Sequence, residues 1–229
     1  MDERSEKICA WMVVPGMTFF GLAMIMGMKF IPPLSPQLNA EQITEIYRAN
    51  ALGMRAGAAL MLFGGAFLMP FVASMYSAMT RMGGKPKALA ATQLISGLLN
   101  YAPLYLCSMI FATASFRAER SPEITQALSD LGWFFLVMPT PAFLVQTFAL
   151  GFAVLRDKSD NPVFPRWVAY FNFWIGILSL PGVLISLFFT GPFAWDGILA
   201  FWLPLAVFGP WMIVMLWVVL KAGRGVNPA

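Results

Sequence analysis

The chain has 229 residues, of which 59% are hydrophobic and only 11% charged, and its mean hydropathy is +0.71. Soluble domains carry about 25% charged residues, so these figures exclude a soluble globular domain, a disordered tail and a disulfide scaffold, and leave a polytopic membrane protein. Histidine is absent, which removes His-ligated haem, His-based zinc or di-iron sites, and Ser-His or Cys-His nucleophiles. The net charge of +4 comes from short loop clusters, not from a basic stripe with interleaved aromatics, so nucleic acid is not an expected partner.

A helix needs about 20 apolar residues to cross the hydrocarbon core. Charge-poor runs predict spans at 8–30, 52–80, 88–116, 127–155, 166–190 and 196–221. The fold class this implies is an all-α integral membrane protein. It is a single transmembrane domain over 1–229, a six-span helical bundle with proline-kinked helices and an amphipathic outer helix before the second span. The apolar run of the first span, Ile8 to Met28, exceeds an ordinary signal-peptide core of about 7–15 residues. No small-residue cleavage site follows it, so the expectation is a retained span.

Six spans put both chain ends on one side of the membrane. That side carries Arg4, Lys7, Arg81, Lys85, Lys87, Arg156, Lys158, Arg166, Lys221 and Arg224, against Lys29, Arg48, Arg55, Arg117 and Arg120 on the other. Ten basic residues against five predict cytoplasmic termini, in a bacterial inner membrane. The connections through Gly83-Gly84 and through Asn161-Pro162 are short, which predicts antiparallel neighbours for spans two and three and for spans four and five.

Between spans one and two, an extended stretch from Pro32 to Pro36 precedes Asn39. Asn39 can cap a helix, with Gln42 at the capping-box position. Ile43, Ile46 and Tyr47 then share one face, and Glu41, Glu45 and Arg48 another, which predicts an amphipathic helix on the outer side. Before span four, Ser121-Pro122-Glu123 is a helix start and brings Asp130 near the outer interface.

Within the spans, Pro15, Pro70, Pro103, Pro139, Pro141, Pro181, Pro204 and Pro210 touch every helix. Each removes an intrahelical hydrogen bond, and bent helices splay around a cavity. Gly53, Gly57 and Gly64 form a small-residue face expected to be a packing seam. Gln93, Ser96 and Asn100 follow i, i+3, i+7 spacing and share one face of span three. Together with Gln146 and Asn172 they are expected to line a central or outward-opening cavity.

Met17, Met24 and Met28 share a face of span one, but thioethers without Cys or His partners do not make a metal site, so neither metal nor cofactor is expected. Cys9 and Cys107 read as small buried hydrophobes. Arg55, Asp130 and Asp196 each begin an even-numbered span at the same level. A charge there is costly unpaired, so Arg55 is expected to pair with one or both aspartates, as a gate or an anchor for a ligand headgroup.

These features fit a membrane carrier or binding protein for a small hydrophobic or amphipathic molecule, contacted by Arg55, Gln93, Ser96, Asn100, Gln146 and Asn172. A metal-free membrane enzyme acting on a lipid or terpenoid, with Asp130 and Asp196 as acid–base groups, is the alternative. A third reading is an accessory subunit of a larger membrane complex. The partners expected are the lipid bilayer, a hydrophobic small molecule, and a partner subunit or a second copy of the chain.

Overall fold

The computed structural model describes residues 3–222, and among them there is helix and loop but no strand. Six helical segments are long and apolar enough to cross a membrane. The protein is therefore an all-helical, multi-pass integral membrane protein built as a six-span bundle.

Span one comprises α1 (Glu3–Trp11), α2 (Val13–Leu22) and a π-helical turn at Ala23–Gly27. A loop leads to α3 (Ala40–Ala49), and spans two and three are α4 (Ala51–Thr80) and α5 (Lys87–Phe116). Span four is divided into α6 (Pro122–Val137) and α7 (Thr140–Arg156). Span five is α8 (Trp167–Ser179) continued by a 3-10 segment at Leu180–Leu187. Span six opens with a π-helical turn at Ile198–Trp202 and continues as α9 (Leu203–Ala222).

The prolines sort into two groups. Pro15, Pro141 and Pro204 sit in the first turns of α2, α7 and α9, Pro139 is the residue before α7, and Pro181 lies near the start of the 3-10 segment. The first backbone N–H groups of a helix have no intrahelical acceptor, so proline loses nothing there. Pro70, Pro103 and Pro210, by contrast, lie inside α4, α5 and α9, and α4 and α5 run unbroken for 30 residues each. A proline in every span does not interrupt every span: spans two and three form a continuous pair, and the interruptions fall in the other four.

The hairpin of α4 with α5 and that of α7 with α8 pack as adjacent pairs, as their short connections require. The glycine face of α4 meets span one. A Cβ on Gly57 would lie 2.9 Å from the Met28 backbone nitrogen, and one on Gly64 would lie 3.1 Å from the Gly16 carbonyl. The seam is thus an intramolecular one between spans one and two.

At the end of the bundle that holds the N-terminus, two devices tie the chain together. The buried Glu6 carboxylate accepts from both guanidinium nitrogens of Arg81, Nη2 at 2.8 Å, and from the Ser77 hydroxyl at 2.6 Å. Asp157, at the end of α7, accepts from the Gly83 and Val163 backbone N–H groups at 3.0 Å each and from the Ser159 hydroxyl at 2.6 Å. Burial pushes this carboxyl up, but the hydrogen bonds from Ser159, Val163 and Gly83 outweigh it and hold Asp157 below the usual carboxylate range. Trp11, Trp167 and Trp217 are exposed at this same end, and Lys221 lies 3.9 Å over the Trp217 ring. Tryptophan and lysine at that level make an interfacial belt. Arg224, counted above with the basic residues of this end, lies outside the described residues.

The opposite end is closed by the segment between spans one and two. α3 has the reciprocal capping box, with Gln42 N–H donating to Asn39 Oδ1 at 2.9 Å and Asn39 N–H to Gln42 Oε1 at 3.0 Å. Its apolar face buries Ile43 and Tyr47 against α6, where the Tyr47 hydroxyl donates to Ser129 Oγ at 3.1 Å. Burial pushes the Tyr47 phenol well above its ordinary value. The preceding loop is held from below, because the Trp195 indole N–H donates to the Leu34 carbonyl at 2.7 Å. Phe30 from this loop fills a buried aromatic cluster with Phe111 and Trp133, at ring separations of 4.9 and 5.0 Å.

Candidate functional site

Two apolar cores result, one toward each end. The terminal one gathers Phe71, Met75, Met79, Leu150, Trp211 and Met215. The other gathers Met28, Phe30, Tyr47, Phe111, Trp133 and Trp195. Between them lies a cavity of about 340 Å³, walled by members of both, Leu68, Tyr101 and Phe143 on one side and Met24, Val137 and Phe201 on the other.

All four interrupted spans contribute to this cavity at or beside their interruptions. Span one supplies Met24 and Ile25 from its π turn. Span four supplies Leu136, Val137, Pro139 and Thr140 from the join of α6 and α7. Span five supplies Ser179, the last residue of α8 before the 3-10 segment. Span six supplies Ala200 and Phe201 from its π turn, then Pro204. Unbroken helix is the low-energy state of backbone in hydrocarbon, since every unsatisfied polar group there costs several kcal/mol. Four departures from it around one hole define the site.

The wall is apolar apart from a few groups. Asn100, from mid-α5, reaches the cavity and its side-chain amide has no hydrogen-bond partner among the described residues. The Thr140 hydroxyl is buried and likewise unpartnered. Ser179 donates to the Ile175 carbonyl at 2.8 Å, which leaves its oxygen free to accept. Tyr101 turns its hydroxyl away, toward Met212 Sδ at 3.8 Å. Gly21 lines the wall with nothing within 4 Å of where a Cβ would stand. Among the described residues, no Asp, Glu, Lys or Arg lines the cavity.

Of the polar and charged residues expected to contact a ligand, Asn100 is at this cavity; the others are elsewhere. Gln93 and Gln146 are fully buried, and none of their side-chain amide atoms has a partner. Gln146 lies over Gly97, where a Cβ would come within 2.8 Å of its Nε2. Ser96 is half-buried and does not line the cavity. Asn172 is bonded into the terminal core, donating to the Val168 carbonyl at 2.8 Å and accepting from the Trp211 indole at 2.9 Å.

The expected pairing of Arg55 with Asp130 or Asp196 is not found: among the described residues Arg55 forms no ion pair within 4.0 Å. It is exposed, and its Nε donates to the Ala51 carbonyl one turn back at 3.2 Å. The reason is rotational. Gly53 and Gly57 turn toward span one, which leaves Arg55 on the outer face of α4, while α6, carrying Asp130, packs against α3 and α5. Asp130 and Asp196 are both half-buried, and neither lines the cavity.

Residues the sequence did not single out are Gly21, Phe143, Thr140, Ser179 and Phe201. Pro139, Pro181 and Pro204 were the available signals for the interruptions beside Thr140, Ser179 and Phe201. No protein-family model, curated protein or solved structure matches this chain.

Proposed function

We propose that the protein binds a small hydrophobic or amphipathic molecule in the cavity between its two cores and acts as its membrane carrier or receptor. The observation that supports this is the convergence of four helix interruptions on one apolar hole of about 340 Å³. Its size is at the low end of ligand pockets, about 300–1,000 Å³, and its wall is predominantly apolar.

The enzyme reading draws no comparable support, because neither Asp130 nor Asp196 is at the cavity, where an acid–base group would have to meet a substrate. The excess of basic residues at the terminal end favours cytoplasmic termini.

The test is binding of an apolar fluorescent probe, a naphthalene derivative, to the purified protein with and without Gly21→Leu. The added side chain enters open space and replaces a helical glycine, so folding is retained. Saturable binding in the wild type and its loss in Gly21→Leu is the expected result. Equal binding in both, with both folded, overturns the assignment of the cavity.

A further inference from the structure

We infer that the ligand of this cavity is an uncharged molecule whose single polar group, a carbonyl or a hydroxyl, is held by the side-chain amide of Asn100 in the middle of the bilayer. This rests on the binding role proposed above and specifies the chemistry of that site. The first observation is depth. Asn100 lies 13 residues from Lys87 and 16 from Phe116 in an unbroken helix, about 20 and 24 Å from its two ends. At that level no bulk water is available to a side chain, and an unsatisfied polar group costs several kcal/mol.

The second observation is that the amide is free. Its nitrogen carries two donors and its oxygen accepts, and no described residue uses any of them. The other glutamines and asparagines inside the spans either bond into the core, like Asn172, or are sealed away from the cavity, like Gln93 and Gln146. Asn100 alone among these four lines the hole. The unpartnered Thr140 hydroxyl and the accepting oxygen of Ser179 also line it, so a hydroxyl on the ligand would find both donors and acceptors.

The third observation concerns charge. Among the described residues, no ionisable side chain of either sign, other than Tyr101, whose hydroxyl is bonded to Met212, lines the wall. An ion carried to that depth has no counter-ion, and burying one unpaired is prohibitive. Fatty acids and quaternary amines are thus excluded as ligands bound with their charged group inside. The rest of the wall, Phe143, Phe201 and Phe208 with Met17 and Met24, suits a flat or flexible hydrocarbon body.

The experiment uses three probes of one skeleton: acetylnaphthalene, ethylnaphthalene and naphthoate. Each is titrated by equilibrium dialysis into the full-length protein in neutral detergent. The ketone should bind about five- to tenfold more tightly than the hydrocarbon, the worth of one hydrogen bond between neutral groups. Naphthoate should bind at least about tenfold more weakly than either. In Asn100→Leu, an apolar replacement of similar shape, ketone and hydrocarbon should bind equally and the hydrocarbon should keep its wild-type affinity.

The infrared carbonyl band of the bound ketone gives an independent readout. It should stand at lower frequency in the wild type than in hydrocarbon solvent, a shift that is observable even if Asn100→Leu does not fold. Equal affinity of ketone and hydrocarbon in the wild type, an unshifted carbonyl band, or naphthoate binding as well as the ketone overturns the inference while leaving the cavity itself in use. Failure of all three probes to bind removes both the inference and the binding role on which it rests.

Discussion

Removing the Arg81 guanidinium should strand a carboxylate inside the terminal end of the bundle. Glu6 is 2% exposed and accepts from Arg81 through both oxygens, with Ser77 supplying one further hydroxyl. In Arg81→Met the carboxylate keeps only the Ser77 hydroxyl at 2.6 Å. Breaking a fully buried pair by removing one partner costs about 3–5 kcal/mol. The Arg81 side chain is 33% exposed, so water replaces part of what is lost, and about 2–3 kcal/mol is expected.

Glu6→Leu should cost less, because the freed guanidinium can turn to solvent. The double variant Glu6→Leu with Arg81→Met should be more stable than Arg81→Met alone, since it no longer buries an unpaired charge. Reversible unfolding in mixed micelles, read by tryptophan fluorescence as dodecyl sulfate is titrated, gives all four stabilities and closes a double-mutant cycle. A coupling energy of about 1–2 kcal/mol is the expected result. Strict additivity, or a loss below about 0.5 kcal/mol in Arg81→Met, would show that the pair does not hold span one to span two.

Gly57→Val should destabilise by about 1–3 kcal/mol in the same assay, because its Cβ would lie 2.9 Å from the Met28 nitrogen with backbone on both sides; a neutral result would refute the close seam. Arg55→Ala should change stability by less than about 0.5 kcal/mol, since its side chain is exposed and unpaired within 4.0 Å; a loss above about 2 kcal/mol would point to an ion partner after all. Asp157 has its carboxyl held below the ordinary value, so its contribution is fully present above about pH 4 and is lost as pH falls through the lower native value. Protection factors at Gly83 and Val163, with the intrinsic pH dependence of amide exchange divided out, should therefore fall on acidification in the wild type and lose that dependence in Asp157→Asn; identical profiles would refute the link.

The spans were legible because hydropathy integrates over about 20 residues and tolerates local error. The start of α3 was legible because a capping box is a three-residue rule: Asn39 and Gln42 bond as their spacing requires. The face that Arg55 shows was not legible, because it depends on which neighbour the glycines of α4 meet.

The polar groups divide on the same ground. Asn100 and Asn172 look alike in sequence, yet the Trp211 indole claims one and nothing claims the other. Proline marked the interruptions at Pro139 and Pro181, where it opens a new helical segment, and misled at Pro70 and Pro103, which sit inside unbroken helices. The π turn at Ala23–Gly27 carries no proline and had no signal in the sequence.

Native mass spectrometry of the protein released gently from its own membrane tests the cavity most directly. The wild type should retain one neutral apolar molecule per chain, identifiable after solvent extraction and bearing a carbonyl or hydroxyl, and Gly21→Leu should release the chain without it. A wild-type chain that leaves the membrane bare, or a Gly21→Leu chain that carries the same molecule at the same occupancy, would contradict ligand binding in the space between the two cores.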